Sequence, residues 1–312
     1  MKIQLQPMSG WTRAAGSGIS AGLMSRFRRI HALPLLAASV LRASLCNGAD
    51  TADVPLDTVV VTGTREAVRQ QIQTFVTTVT RKDGDLIGRW RNAICPKVVG
   101  LTDTQSQFVE RRLIEVHDLV RKRDTNTAKR CTPNLFVIVT DDAEGVLSSW
   151  RERDPGMFRW KTRAGVSHSE GSGAVRTWHN AIVEASDGGP TTGGGGNLPR
   201  GRLKDSRIQA SAAENITAVV VLVDTRATGH VTLAQIADYI AMVSLSQLDL
   251  TAPVRGVSSI LTLFGQPPPE EQPAALTAWD YAFLEGLYRT SYSPMHQRAD
   301  IMARMTRKLA PR

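Results

Sequence analysis

Beyond its first fifty residues the chain has no apolar run long enough to cross a bilayer as a helix. It carries 3 cysteines and 6 histidines in 312 residues, too few for a disulfide-dense scaffold. No two cysteines form C-x-x-C, which removes the thioredoxin-like redox motif and the zinc ribbon. No two histidines stand as H-x-x-x-H, so no helix presents paired imidazoles on one face to hold zinc. There is no G-x-S-x-G, the strained turn that exposes a serine nucleophile in α/β-hydrolases. The glycine run 193–196 lacks the following Lys-Ser/Thr and helix of a phosphate loop and reads as a solvated linker.

Acid is missing from residues 1–49, which contain Lys2, Arg13, Arg26, Arg28, Arg29 and Arg42. The whole chain has 38 basic and 29 acidic side chains; without those six, 32 face 29 and the net falls from +9 to +3. A balance so near neutral leaves no electrostatic footprint for nucleic acid. The same N-terminal segment has the three parts of an export signal: the basic stretch 24–29, the apolar stretch 31–40 (HALPLLAASV), and small residues up to Ala49. We therefore expect residues 1–49 to be a signal peptide with an upstream extension, Met24 being a plausible start. Leu45 stands where a lipoprotein signal has a small residue before its cysteine, which disfavours Cys46 as a lipid anchor. The mature chain is expected to be periplasmic or secreted. Cleavage after Cys46 leaves Cys95 and Cys131, and two thiols in an oxidising compartment predict one disulfide.

Periodicity predicts an α+β fold, with helices packed on a mixed sheet and crowding the C-terminal third. Short β-branched or apolar runs predict strands at 58–62, 94–99, 135–140, 174–184 and 216–223, with Pro96 marking an edge strand and 216–223 a central one. Helical spacing predicts helices at 66–79, from Thr102-Asp103 through Val120, 143–151, 233–248, from Thr277 to Leu287 or Tyr288, and 294–309, with a short helical piece at 258–264. The segments 187–201 and 266–273 read as loops. Residues 50–312 are expected to form one domain, divisible into an N-terminal α/β lobe (58–142) and a C-terminal lobe (174–312).

Three histidines, His168, His179 and His230, each lie near a strand or loop and are the candidates for a base or a metal ligand. Taken singly they are ordinary surface or hydrogen-bonded histidines. Ser167 and Ser169 flank His168, but sequence neighbours on an extended chain point to opposite faces. A stretch of cations interleaved with aromatics, including Trp150, Arg159, Trp160, Arg163, Arg176 and Trp178, is the candidate binding surface. Guanidinium and aromatic groups together can stack on sugars, bases or peptides. The alternative for the same residues is a strand with aromatics turned to the core and charges to water.

Two resemblances add to this reading. Residues 56–65 (LDTVVVTGTR) resemble the segment at the mature N-terminus of TonB-dependent outer-membrane receptors, where it overlaps the box that pairs with TonB. The likeness covers ten residues, and the remaining chain does not carry the strands of the receptors' large barrel. The C-terminal third, from Leu233 to Leu245, Ser259 to Phe264, Leu276 to Tyr288 and the final helix, resembles a family of exported proteobacterial proteins of uncharacterised function. These look like secreted zinc metallopeptidases of the gluzincin or metzincin type. Where the metal-binding helix of that pattern has His-Glu, this chain has Ala237-Asp238, and Ala241 stands at the second ligand position. The resemblance implies a degenerate zincin-like scaffold without metal or other cofactor, and a peptide or an envelope protein as partner. Catalysis is left open, since dispersed His and acidic residues converging in space would make a hydrolase instead.

Overall fold

The computed structural model describes residues 64–80, 86–122, 131–153, 166–169, 173–185, 212–229, 231–265, 271–290 and 296–311. The strand expected at 58–62 and the loop at 187–201 lie outside the described residues.

The first helix, α1 (Arg65–Val79), is started by Thr64, whose hydroxyl accepts the Ala67 amide at 3.3 Å. Val68, Ile72, Phe75, Val76 and Val79 make its buried stripe. Strand β1 (Pro96–Val99) then lies at one edge of the sheet. Pro96 has no amide to offer, and the Val98 amide donates to the Glu110 carboxylate at 2.9 Å, so this edge is closed to further pairing. Gly100 turns the chain at φ +91°, where a Cβ would sit 1.8 Å from the Val139 carbonyl oxygen.

Helix α2 (Asp103–Arg121) opens with a reciprocal cap between Thr102 and Gln105. Strand β2 (Leu135–Thr140) is buried along nearly its whole length because it has parallel partners on both sides. Helix α3 (Ala143–Arg153) follows, then β3 (Val166–Ser169), β4 (Val175–Ala185) and β5 (Ala212–Asp224). The remaining elements are α4 (Leu233–Leu245), a 3-10 turn (Ile260–Thr262), α5 (Ala278–Arg289) and α6 (Gln297–Leu309). Helices α4 and α5 repeat the reciprocal threonine cap, with Thr232 and Gln235 in one and Thr277 and Asp280 in the other.

The five strands run in the order β1-β2-β5-β4-β3, with β1, β2 and β5 parallel and β4 and β3 antiparallel to their neighbours. The fold is the expected α+β, a mixed sheet with helices packed on it and a helix-rich C-terminal third. One sheet joins the segments 58–142 and 174–312, since β2 pairs directly with β5.

Alternation along the strands splits the interior in two. Val137, Val139, Val219, Val221 and Val223 face a large core shared with α1, α2, α4, α5 and α6. Ile138, Leu222 and Trp178 face the other way, under Ala143 and Leu147 of α3. In the large core Phe75 meets Trp279 and Phe283 edge-on, with ring centroids 6.0 Å and 5.9 Å apart.

Three local expectations need correction. Strand β3 was not foreseen, because Val-Ser-His-Ser has no apolar alternation and is a strand only through its pairing with β4. Strand β5 starts four residues before the expected Ile216, since Ala212 to Asn215, which carry no β-branched or apolar alternation, are paired along β4. Helix α4 stops at Leu245 rather than Leu248: Ser246 turns extended and bridges to Arg89, while its hydroxyl bonds the Met242 carbonyl at 2.8 Å. The disulfide joins Cys95 and Cys131 with Cα atoms 6.0 Å apart, inside the usual range. Among the described residues no helix is long and apolar enough to cross a membrane.

Candidate functional site

Helix α4 is the element on which a zincin-like reading depends. Every residue from Ile236 to Leu245 is buried, and Ala237 and Ala241 have no exposed surface. Its single acid, Asp238, is buried and held by three donors. Arg112 of α2 grips it in a fork, Nε to Oδ1 at 2.5 Å and Nη2 to Oδ2 at 3.2 Å. The Leu276 amide donates to Oδ2 at 2.8 Å, and Arg112 Nη2 also donates to the Tyr281 hydroxyl of α5 at 3.2 Å. The Asp238 side chain is 4% exposed and that of Arg112 23%. Burial opposes the charge on Arg112, but the hydrogen bond and charge of Asp238 outweigh it and hold the guanidinium more firmly protonated than usual. Burial likewise pushes the Tyr281 hydroxyl up, with Arg112 pulling against it. A carboxylate acting as general base needs a free oxygen lone pair towards water or substrate. Here three donors, two from the guanidinium and one amide, hold the two oxygens, and at 4% exposure the group is withdrawn from water and substrate. What this arrangement does chemically is tie α2, α4 and the start of α5 together.

A second buried carboxylate does the same for the C-terminal third. Asp280 accepts the Ser259 hydroxyl at 2.6 Å, the Ile260 and Thr277 amides at 2.8 Å each, and the Thr277 hydroxyl at 2.9 Å. Burial raises its pKa, against the pull of these four donors. Thr277 was foreseen as a helix start; the spacing Thr-x-x-Asp was the available sign that Asp280 would complete it.

The candidate histidines do not gather among the described residues. His179 on β4 is enclosed, 2% exposed, in register with Val219 and on the face turned to the large core. The position of His168 on β3 is in register with Trp178, one residue before His179, so alternation assigns the two positions to opposite faces. His230 lies outside the described residues. The register does place Ser167 directly across from His179, a juxtaposition hidden in the sequence, where they are twelve residues apart. Among the described residues no three His, Cys, Asp or Glu side chains gather as a metal ion would need.

Of the candidate binding surface, Arg159, Trp160 and Arg163 lie outside the described residues. Trp150 on α3 and Trp178 on β4 do come together, edge to face at 5.9 Å, on the smaller core. Trp178 is 7% exposed, and Arg176 pairs with Glu144 of α3. This described part packs α3 on the sheet, aromatics inward and the ion pair at the rim.

Sequence reading passed over His117. It is buried on α2, with Nδ1 3.2 Å from the Asp118 carboxylate and Nε2 3.3 Å from Arg121 Nη1, and its ring meets Tyr288 of α5 edge-on at 6.2 Å. The available sign was a histidine between Val116 and Val120 on the apolar stripe, one turn before an arginine.

Comparison with protein-family models, with curated proteins and with solved structures finds no match.

Proposed function

We propose that the chain is exported and works in the periplasm or outside the cell as a non-catalytic binding protein for a peptide or an envelope protein, on a peptidase-like scaffold whose metal helix has lost its chemistry. The observation that carries this reading is Asp238. The one acid of α4 is buried and held by Arg112 and the Leu276 amide, and its neighbours Ala237 and Ala241 offer only methyl groups. Imidazole nitrogens at those positions are what a catalytic zinc requires. The Cys95–Cys131 pair supports an oxidising compartment. The test is to purify the protein from the periplasm without chelator, read its N-terminus by mass spectrometry, measure zinc, and assay peptide cleavage with and without added zinc. We expect a product beginning near residue 47 or 50, substoichiometric metal and no cleavage. Stoichiometric zinc that is lost on changing Asp238 would overturn the reading.

A hydrolase is the second reading, and the register of Ser167 opposite His179 is what favours it. Covalent labelling by a fluorophosphonate at Ser167, lost in His179→Ala, would establish it over the first. Zinc that disappears only on changing His168, His179 or His230 would likewise favour a hydrolase.

A further inference from the structure

The His117 cluster is built around one competition for hydrogen bonds. Arg121 donates from Nη2 to the Arg91 carbonyl and from Nη1 to the Asn92 carbonyl at 2.6 Å, and Nη1 also faces His117 Nε2 at 3.3 Å. A guanidinium has only donors, so Nε2 is the unprotonated nitrogen and Nδ1 carries the hydrogen towards Asp118. The Asn92 carbonyl faces the imidazole as well. Tyr288 of α5 meets the ring edge-on, and Arg89 lies beside that tyrosine. Among the described residues Arg121 opposes a charge on the ring and Asp118 favours it.

A second proton on the ring would point an N–H at Arg121 and claim the Asn92 carbonyl for itself. Arg121 would then lose both its acceptor nitrogen and one of its two carbonyls, and like charges would stand in contact. The segment it holds is short and otherwise anchored at its ends. The Arg91 amide donates to Asn215 at 3.0 Å, the Ala93 carbonyl accepts from Asn134 at 3.1 Å, and Cys95 is fixed by the disulfide.

We propose that His117, Arg121 and the carbonyls of Arg91 and Asn92 form an acid-released latch: protonating the imidazole expels the guanidinium and frees residues 91–93 locally, with sheet and disulfide intact. Burial first, and Arg121 second, hold the ring neutral down to about pH 4 in the closed state, against 6.5 for a free histidine. Releasing Arg121 removes the second of these causes and leaves the ring buried on α2, so the open state binds the proton more readily than the closed one, and opening grows as pH falls towards 4, by at most about tenfold per pH unit.

Hydrogen exchange of the folded protein from pH 7 to pH 4, corrected for intrinsic exchange rates, tests this. We expect exchange at the Arg91 amide, the one amide of 91–93 with a described acceptor, to accelerate as pH falls while β2 and α4 keep their protection. His117→Gln should flatten the pH dependence, and Arg121→Gln should leave 91–93 open already at neutral pH. The ring itself, followed by its NMR signal in the unmodified protein, should titrate together with the opening. Loss of protection at Arg91 in step with β2 would mean global unfolding and overturn the latch. So would an undiminished pH dependence in His117→Gln, or a His117 signal that titrates apart from the opening.

Discussion

Replacing Arg112 with methionine keeps most of the aliphatic packing of the side chain and removes the guanidinium. Asp238 then stays 4% exposed with the Leu276 amide as its remaining described donor. Stripping one partner from a buried ion pair costs about 3–5 kcal/mol, because the other charge is left without compensation. The 23% exposure of Arg112 means that water can reach the gap, which puts the expected cost at the lower end, about 3 kcal/mol. At roughly 2–4 °C per kcal/mol for a domain of this size, the midpoint of thermal unfolding should drop by about 6–12 °C. The reciprocal change, Asp238→Ala, is expected to be milder. The guanidinium keeps Tyr281 and lies 3.7 Å from Glu115 at the surface, so the main loss is the orphaned Leu276 amide, about 1–3 kcal/mol. Substituting both by apolar residues should restore part of the loss, since an apolar pair carries no desolvation penalty. Urea denaturation at pH 7 followed by circular dichroism, with the four proteins of the double-mutant cycle, measures all of this. If Arg112→Met falls within about 0.5 kcal/mol of the parent, or if Asp238→Ala costs clearly more than Arg112→Met, the pair is not the buried clamp described.

Changing Cys95 and Cys131 together to alanine should cost about 4 kcal/mol, the loop entropy for a separation of 36 residues; denaturant titration under non-reducing conditions reads it. Gly100→Ala meets both a left-handed φ and the Val139 carbonyl, so we expect a loss of about 2 kcal/mol or more, visible as a lowered thermal midpoint, and no loss if the turn rebuilds freely. Asp280→Asn replaces an acceptor of four hydrogen bonds by an amide whose nitrogen faces donors, and should destabilise by about 2–3 kcal/mol in the same assay.

What the sequence made legible were features set by near neighbours. The stripe of α1, the threonine starts of α2 and α5, the buried run of β2 and the edge position marked by Pro96 depend on spacings of a few residues. The disulfide was legible because the expected export signal takes Cys46 and leaves two cysteines to pair. Pairings across long separations were not. Arg112 and Asp238 are 126 residues apart, and nothing near either says that the fork of one closes on the other. Strand β3 and the Ala-Ala-Glu-Asn start of β5 take their conformation from β4, and without register they look like loop. Ser167 and His179 hold paired register positions for the same reason, although the serine's sequence neighbour His168 is the more obvious partner.

After its first turn helix α4 has no outward face. From Ile236 to Leu245 each side chain is buried, so apart from Asp238, which Arg112 holds, there is no position where a charge, a glycosylated asparagine or a label would be accommodated. Helix α6, by contrast, shows water a regular share of its turns, Ala303, Arg307 and Lys308 among them. In a saturation-mutagenesis screen for folded protein, α6 should therefore give the familiar three-to-four-residue beat of tolerance. Helix α4 should give an unbroken block of intolerance instead, and as a lineage diverges its spelling should drift more slowly than that of any helix around it.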